Sequence, residues 1–281
     1  MPLVLLLVLG SALAHAGWNT VLKGRSDRLV LVAVGTLLAA VLMTPPAALT
    51  FRPPDWPVPA VVAASAATEF AYFQLLSAAY GRGDLGLIYP IARGSAPVYV
   101  AVIAGLLLGE RLSPIGYAGI ALVVAGAILV NLPAGGTGWA WPAVGLALAT
   151  GCSIALYSVI DKVGVGLYPP IPYLALVFAL TGLAMTASMA ARLGAARLAA
   201  IARRDWIAII VIAVGSIVAY LSVLFAMQLA PVSLVAPLRE LSIVAATLLG
   251  WLFLKEKMTP HRLTGSLVIC GGVVALSVSR S

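Results

Sequence analysis

Hydrophobic residues dominate ten stretches of the chain, and short polar segments separate these stretches. Most of them are about 20 residues long, which is the length that an α-helix needs to cross the hydrocarbon core of a bilayer at ~1.5 Å rise per residue. The pattern therefore predicts an all-α polytopic membrane protein with ten transmembrane helices. The predicted spans are residues 2–22, 29–50, 58–79, 85–108, 114–131, 139–160, 170–191, 206–229, 232–254 and 260–279.

The longest polar segment, residues 192–205, lies between the seventh and eighth predicted spans. It alternates Arg with Ala, Leu and Ile over a length that suits one short helix. Such a segment could form an amphipathic helix on the membrane surface.

The composition supports a membrane protein and excludes other classes. Of the 281 residues, 62% are hydrophobic and 9% are charged, whereas a soluble domain has roughly 25% charged residues. The net charge of +8 comes from Lys and Arg spread among short loops, so no basic face for nucleic acid is indicated. Cys152 and Cys270 lie inside apolar spans and are interpreted as reduced packing residues. No metal-ligand spacing, nucleotide-binding loop or catalytic motif occurs, so we expect no metal, no cofactor and no enzyme activity.

The second half of the sequence repeats the first half. A shift of about 146 residues superposes Arg93 on Arg239 and aligns other residues that are rare in this chain. Each half has five predicted spans, and because five is odd, the second copy would enter the membrane in the opposite direction, as in inverted-repeat transporters. We predict a first repeat at residues 1–132, a linker at 133–138 and a second repeat at 139–281. Further aligned pairs are Glu110 and Glu256, Arg111 and Lys257, Ser113 and Thr259, Pro114 and Pro260, Gly119 and Gly265, and Gly126 and Gly272.

The distribution of Lys and Arg between loops bears on the orientation. Eleven of them follow predicted spans 1, 3, 5, 7 and 9, and four lie on the other side. The positive-inside rule would put the first group in the cytoplasm and both termini outside. The four residues of the second group are Arg52, Arg111, Lys162 and Arg280.

Two related segments close the fourth and ninth spans and carry a resemblance to a known family. They are Gly109-Glu110-Arg111-Leu112-Ser113-Pro114 and Lys255-Glu256-Lys257-Met258-Thr259-Pro260, each followed by a glycine-spaced helix. Both resemble the corresponding segments of EamA-type transporters in the drug/metabolite transporter superfamily, and the resemblance covers nearly the whole chain as two EamA units. Residues 15–19 and 157–162 are similar to a branch linked with phosphonate utilisation.

The resemblance implies ten helices and a central cavity formed by helices 1, 3, 4, 6, 8 and 9. It also implies alternating access for amino acids, nucleotide precursors, sugars, choline-like cations or other metabolites. Many relatives have cytoplasmic termini, which conflicts with the distribution of positive charge. The orientation therefore stays open.

Glu69 lies near the centre of the third predicted span, and Tyr72 shares its helix face. An ionisable residue inside a membrane span is costly and is by default a functional candidate. Glu69 could bind a substrate ammonium group, or it could take up a proton and couple transport to the proton gradient. The structural alternative is an ion pair with Arg93.

Arg93 and its repeat equivalent Arg239 lie inside the fourth and ninth spans, and Tyr89 lies one turn before Arg93. An Arg suits bidentate capture of a carboxylate, phosphate or phosphonate. Glu240 follows Arg239, and adjacent helical residues point about 100° apart, so their side chains cannot both face one cavity. Together with Glu69, these residues could instead form a balanced salt-bridge network that only fixes helix register.

His15, Trp18 and Asn19 lie along one stripe of the first span. His15 could relay protons, and Trp18 could stack on a substrate or a quaternary ammonium group. Alternatively, His15 donates to a neighbouring helix and Trp18 belongs to the aromatic belt at the membrane surface. The candidate proton-coupling residues are thus Glu69, His15 and Glu240.

Tyr157 and Tyr220, in the sixth and eighth spans, complete the predicted substrate-binding residues. Neighbouring small and hydroxyl-bearing residues are interpreted as packing contacts. Asp161 and Lys162 are predicted to lie at a solvated helix end. The Glu110-Arg111 pair, at a membrane exit, is predicted to act as a cap or a gating contact.

The sequence thus predicts a secondary transporter that moves a small polar organic solute by alternating access. The two buried arginines favour an anionic or zwitterionic solute, such as an amino acid or an aminophosphonate, with Glu69 taking the amine or a proton. One alternative is an exporter of cationic or aromatic compounds that uses Glu69 and Trp18. Another is a lipid-linked-glycan flippase subunit or a membrane scaffold, in which the charges only lock helices. We expect a multi-pass protein of the cell inner membrane, monomeric or homodimeric, whose partners are lipid, a small-molecule substrate and, if transport is coupled, protons.

Overall fold

The computed structural model describes residues 1–23, 25–82, 85–130, 141–255 and 258–279, without the side chains of residues 85–87, 89, 90 and 254. Every regular element within these residues is an α-helix. The helices are α1 (Pro2–Lys23), α2 (Arg28–Thr50), α3 (Val58–Tyr80), α4 (Leu85–Leu107), α5 (Pro114–Val130), α6 (Trp141–Leu167), α7 (Pro170–Leu193), α8 (Ala195–Arg204), α9 (Trp206–Leu229), α10 (Val232–Leu238), α11 (Leu241–Leu254) and α12 (Pro260–Val278).

The helices follow the predicted spans because aliphatic runs end at proline, glycine or charged residues. In the described ranges, eight segments are long and apolar enough to cross a membrane, and two shorter apolar helices accompany them, Ile91–Leu107 and Pro114–Val130. The ninth predicted span is interrupted, because α10 ends at Leu238 and α11 begins at Leu241. The short helix expected between the seventh and eighth spans is α8, and the predicted linker at 133–138 lies outside the described residues.

The helices pack in pairs that join one half of the chain to the other. α1 packs on α9, α6 packs on α3, α2 packs on α7, and α5 packs on α12. Each half contributes one member to every pair, and the set of pairs is unchanged when the two halves are exchanged. The bundle is therefore an interlocked unit of both repeats, not two five-helix domains placed side by side.

Glycines bring α5 and α12 into close contact. A methyl group added at Gly126 would lie 2.7 Å from the carbonyl oxygen of Gly265, and one added at Gly119 would lie 3.0 Å from that of Gly272. Small residues permit such close backbone approach between membrane helices. The earlier glycine of α5 meets the later glycine of α12, so these two equivalent helices run antiparallel.

Glu110 connects the first half to the beginning of α10 in the second half. Its Oε1 accepts a hydrogen bond from the backbone N–H of Val232 at 3.0 Å, and its Oε2 accepts one from the N–H of Ser233 at 2.9 Å. These N–H groups have no partner inside their own helix, so the carboxylate caps it from outside. Of the two roles predicted for the Glu110-Arg111 pair, a cap or a gating contact, these hydrogen bonds show the cap for Glu110. Its repeat equivalent Glu256 lies outside the described residues.

Candidate functional site

A cavity of about 100 Å³ lies inside the bundle, with room for several waters or one small solute. Every helix that the family resemblance implied contributes to its wall, namely α1, α3, α4, α6, α9 and the α10–α11 segment. α2 and α7 contribute as well. The lining residues are Ser11, Ala12, His15, Trp18, Val32, Thr36, Glu69, Tyr72, Phe73, Arg93, Tyr157, Phe178, Ile212, Ser216, Ala219, Tyr220, Arg239 and Ser242.

The interruption between α10 and α11 positions two charged residues in different directions. Pro237 has no N–H, and its ring disfavours a continuous helix through this point. The chain makes a tight turn instead, in which the N–H of Glu240 donates to the carbonyl of Pro237 at 3.0 Å. Arg239 lines the cavity, whereas Glu240 is buried and is absent from the lining. This separation agrees with the expectation that the two side chains cannot both face the cavity.

Arg93 of α4 forms an ion pair with Glu240. Its Nη2 lies 3.2 Å from Oε1 of Glu240, its Nε lies 3.3 Å from Oε2, and Nη2 also donates to the Ser242 hydroxyl at 3.1 Å. The side chains of Arg93 and Glu240 are only 11% and 6% exposed. The pair joins the two repeats and leaves this part of the wall with no net charge.

Arg239 has a different environment from its repeat equivalent Arg93. Its Nη1 donates a 3.5 Å hydrogen bond to the Ser158 hydroxyl, and its guanidinium carbon lies 5.5 Å from the centre of the Tyr220 ring. Within the described residues, no carboxylate forms an ion pair with Arg239. Among the described residues, the cavity wall therefore carries one guanidinium that is not in a direct ion pair.

Glu69 provides the acidic counterpart on the cavity wall. It is half-buried on α3, and its Oε2 accepts a 2.9 Å hydrogen bond from the Thr181 hydroxyl of α7. The predicted residue Tyr72 lies on the next turn and contacts Phe73 and Tyr157, with ring centres 4.7 and 6.1 Å away. Glu69 thus contributes a carboxyl group to an aromatic part of the cavity wall.

Aromatic rings form most of the remaining wall. Tyr157 and Tyr220 contact each other edge to face, with 6.2 Å between ring centres, and Phe178 stacks on Tyr220 at the same distance. His15 meets Trp18 in a T-shaped contact at 5.1 Å. Such rings exclude water from bound solutes and can stack on planar or cationic groups.

Most residues predicted for the site from the sequence line this cavity. Asn19 does not line it, because its side-chain amide donates to the backbone carbonyl of His15 on its own helix. The side chain of Tyr89 lies outside the described part of the structure, and Glu240 contributes only through Arg93. The predicted residues that line the cavity are His15, Trp18, Glu69, Tyr72, Arg93, Tyr157, Tyr220 and Arg239.

The prediction that Asp161 lies at a solvated helix end is wrong. α6 continues to Leu167, so Asp161 lies inside the helix and is 0% exposed. Its carboxylate accepts hydrogen bonds from the hydroxyls of Ser65 on α3, Tyr173 on α7 and Tyr220 on α9. We call these four residues the Asp161 cluster. The sequence did carry one signal for it, since residues 163–167 continue the apolar pattern beyond the predicted end of the span.

The same error affects Lys162, which was counted among loop residues. Its ammonium group donates to the carbonyls of Met227 and Ala230, the latter at 3.1 Å, where α9 ends. A Lys at this position satisfies carbonyls that have no partner within α9. Lys162 therefore gives no information about which side of the membrane its loop faces.

These observations define a multi-pass helical membrane protein with a charged, aromatic cavity between two interlocked repeats. The chain belongs to the EamA-like transporter family, whose model matches residues 2–132 and again residues 141–278. It is accordingly a membrane transporter. No curated protein matches the sequence. Among solved structures, one described only as "Crystal structure of protein" has a similar fold, with a TM-score of 0.76 and 19% identity over 98% of this chain and 96% of that one.

Proposed function

We propose that the protein is a secondary carrier for a small zwitterionic solute, such as an amino acid or an aminophosphonate. Support comes from two ionisable side chains on the cavity wall that form no ion pair within the described residues. Arg93 is compensated by Glu240, which leaves the guanidinium of Arg239 and the carboxylate of Glu69 in the same cavity. A solute that carries one acidic and one amino group complements both charges.

The volume of the cavity supports a small solute. Pockets for drug-sized ligands are roughly 300–1,000 Å³, and this cavity is about 100 Å³. A metabolite of a few heavy atoms is compatible with that volume in the state described. Tyr72, Tyr157 and Tyr220 would then set its orientation between Arg239 and Glu69.

Transport would proceed by alternating access between two inverted five-helix repeats. The exchangeable helix pairs and the antiparallel contact between α5 and α12 support this arrangement. In such a carrier the solute binds between the repeats, and one repeat rocks against the other around it. Proton coupling through Glu69 or His15 would supply the energy for accumulation.

Ligand-induced thermal stabilisation of the detergent-solubilised protein tests the solute class. A solute at a hundredfold excess over Kd should stabilise by about 2.7 kcal/mol, and amino acids or aminophosphonates should do so. Stabilisation by quaternary amines or aromatic cations alone would favour the exporter, and no response to any solute would favour the scaffold. Arg239→Gln should remove the stabilisation, whereas Arg111→Gln, which changes an exposed arginine outside the cavity, should retain it.

Glu69→Gln in liposomes separates the two roles of Glu69. If Glu69 carries the coupled proton, the variant should still exchange solute but lose accumulation driven by a pH gradient. Loss of exchange as well would assign Glu69 to the amine of the solute. Unchanged accumulation would exclude both roles.

A further inference from the structure

A second cavity lies on the outer surface of the bundle, between α2 and α7. It is a groove of about 440 Å³, larger than the central cavity. Val41 and Phe51 of its wall are 60% and 55% exposed, so the groove opens away from the protein core. Among its lining residues only Thr44 has a polar side chain, and that hydroxyl donates to the carbonyl of Ala40 on its own helix. The wall is therefore apolar.

Small side chains create the groove where the two helices leave room between them. A methyl group added at Gly182 of α7 would lie 2.7 Å from the Leu37 backbone of α2, so the helices touch there. Toward Phe51 on α2 and Pro172 on α7, five of the eleven lining residues are alanines, which do not fill the space. The α2 wall runs from residue 37 to residue 51, which is about 21 Å at 1.5 Å rise per residue.

The position of the groove decides what medium surrounds it. α2 and α7 are both long and apolar enough to cross the membrane, so an outward-facing apolar groove between them meets lipid hydrocarbon. One leaflet supplies about half of the ~30 Å hydrocarbon core, and the groove is long enough to accept an acyl chain over that depth. Atoms that line an unfilled space lose their dispersion contacts. An acyl chain in the groove would supply them.

Arg52 lies at the end of the groove where α2 ends. It directly follows Phe51 of the groove wall, and its carbonyl accepts a 2.5 Å hydrogen bond from the hydroxyl of Tyr168. Its guanidinium carbon lies 5.9 Å from the centre of the Tyr168 ring, just before α7 begins. Trp56, which is 80% exposed, is typical of the membrane surface. Arg52 is exposed and takes part in no ion pair within the described ranges.

We propose that the α2–α7 groove binds one phospholipid, with an acyl chain along the alanines and the phosphate on the guanidinium of Arg52. An Arg at headgroup depth suits a phosphate, because its N–H groups donate charge-assisted hydrogen bonds to two oxygens at once. Asp55 is exposed three residues further on, so this segment has no excess positive charge that would select an anionic headgroup. Binding should therefore follow the phosphate, whatever group it carries.

Native mass spectrometry of the delipidated protein in detergent tests this site. The protein is titrated with phosphatidylglycerol, phosphatidylethanolamine and diacylglycerol, all with the same acyl chains. Both phospholipids should saturate one site per protein. Diacylglycerol, which has the chains without the phosphate, should bind about tenfold more weakly, because it makes no charge-assisted hydrogen bond with Arg52.

Two pairs of variants locate the two parts of the lipid. Arg52→Gln should weaken both phospholipids about tenfold and leave diacylglycerol unchanged. Its control is Arg111→Gln, at an exposed arginine two membrane crossings later and thus at the same surface. Ala48→Phe fills the groove from an exposed position and should weaken all three lipids. Ala63→Phe is the control, at an exposed alanine of α3 outside both cavities, and should bind like the wild type.

Each part of the proposal has an outcome that overturns it. Equal affinity for diacylglycerol and phospholipid, or an unchanged affinity in Arg52→Gln, would remove the phosphate contact. Binding of phosphatidylglycerol alone would show that net charge is recognised and not phosphate. Full binding by Ala48→Phe, or equal losses in Ala48→Phe and Ala63→Phe, would place the lipid elsewhere. A dimer without bound lipid, dissociated by Ala48→Phe, would assign the groove to a second copy of the chain.

Discussion

His15 and Asp161 occupy equivalent positions in the two repeats, yet the surroundings of their side chains differ. His15 is half-buried, lines the cavity and contacts Trp18. Asp161 is fully buried and accepts three hydrogen bonds from three other helices. Equivalent helix positions therefore carry part of the cavity wall in the first repeat and a buried polar cluster in the second.

The next turn of the same helices shows how the difference in packing arises. The position of Trp18 in the first repeat corresponds to Gly164 in the second, and the Tyr173 ring occupies the space beside Gly164. Trp18 in turn lies against Gly215 of α9, where an added methyl group would be 2.9 Å from its Cβ. In both places a glycine makes room for a large ring, but only Tyr173 donates a hydrogen bond to a carboxylate.

The largest expected effect distinguishes the two equivalent arginines. Arg93→Gln leaves Glu240 buried without its ion partner, which should cost roughly 3–5 kcal/mol of stability. Arg239→Gln breaks no ion pair among the described residues and loses hydrogen bonds to Ser158 and Tyr157 and the cation–π contact with Tyr220, which together are worth about 1–2 kcal/mol. Thermal unfolding of both variants in one detergent measures the difference.

The double variant Arg93→Gln/Glu240→Gln is the control for this prediction. It removes both charges, so it should recover much of the stability that Arg93→Gln loses. Equal melting temperatures for the two single variants, with no recovery in the double variant, would show that the repeats are equivalent at this position.

A smaller effect is expected at the glycine beside Tyr173. A methyl group at Gly164 would lie 2.6 Å from the Tyr173 hydroxyl oxygen and would overlap its ring. Gly164→Ala should therefore displace Tyr173 from Asp161 and destabilise the protein by about 1–3 kcal/mol. Gly166→Ala serves as the control on the same helix, since nothing lies within 4 Å of its added methyl group. If both variants unfold alike, Tyr173 does not depend on the space at Gly164.

Much of the fold could be predicted from the sequence because membrane spans are encoded by long aliphatic runs. Charged residues inside those runs also point to a cavity, and Arg93 and Glu69 both line one. Their partners could not be predicted in the same way. That Arg93 pairs with Glu240 and that Thr181 donates to Glu69 depends on how distant helices pack. Asp161 was misplaced because the sixth span was predicted to end at residue 160, whereas α6 continues to Leu167 and Gly164 makes room there for the Tyr173 ring.

The smallest effect concerns the charged residues at the opposite end of α9 from Lys162. Arg204 lies 2.7 Å from Asp27 and 2.6 Å from Asp205, and Asp205 also pairs with Arg25. The hydrogen bond from Arg204 is the main reason why the pKa of Asp27 lies below its usual value. A lowered pKa in the folded state means that the ion pair stabilises the protein above the pKa of the unfolded chain and is lost as the pH falls through the folded value.

Asp27→Asn should therefore reduce the fall in melting temperature between neutral and acidic pH, but only slightly, because the pair is exposed and screened by solvent. Adding salt to the wild-type protein should shrink the fall in melting temperature between neutral and acidic pH, since exposed ion pairs are screened over about 10 Å at 0.1 M.

The control is Asp55→Asn, at an exposed aspartate that forms no ion pair within the described residues. Its acid dependence should match that of the wild type. An effect of Asp27→Asn as large as that of Arg93→Gln would contradict the expectation that this exposed ion pair contributes much less stability than the buried pair of Arg93 and Glu240. The Asp161 cluster, which is buried, should be insensitive to salt under the same conditions.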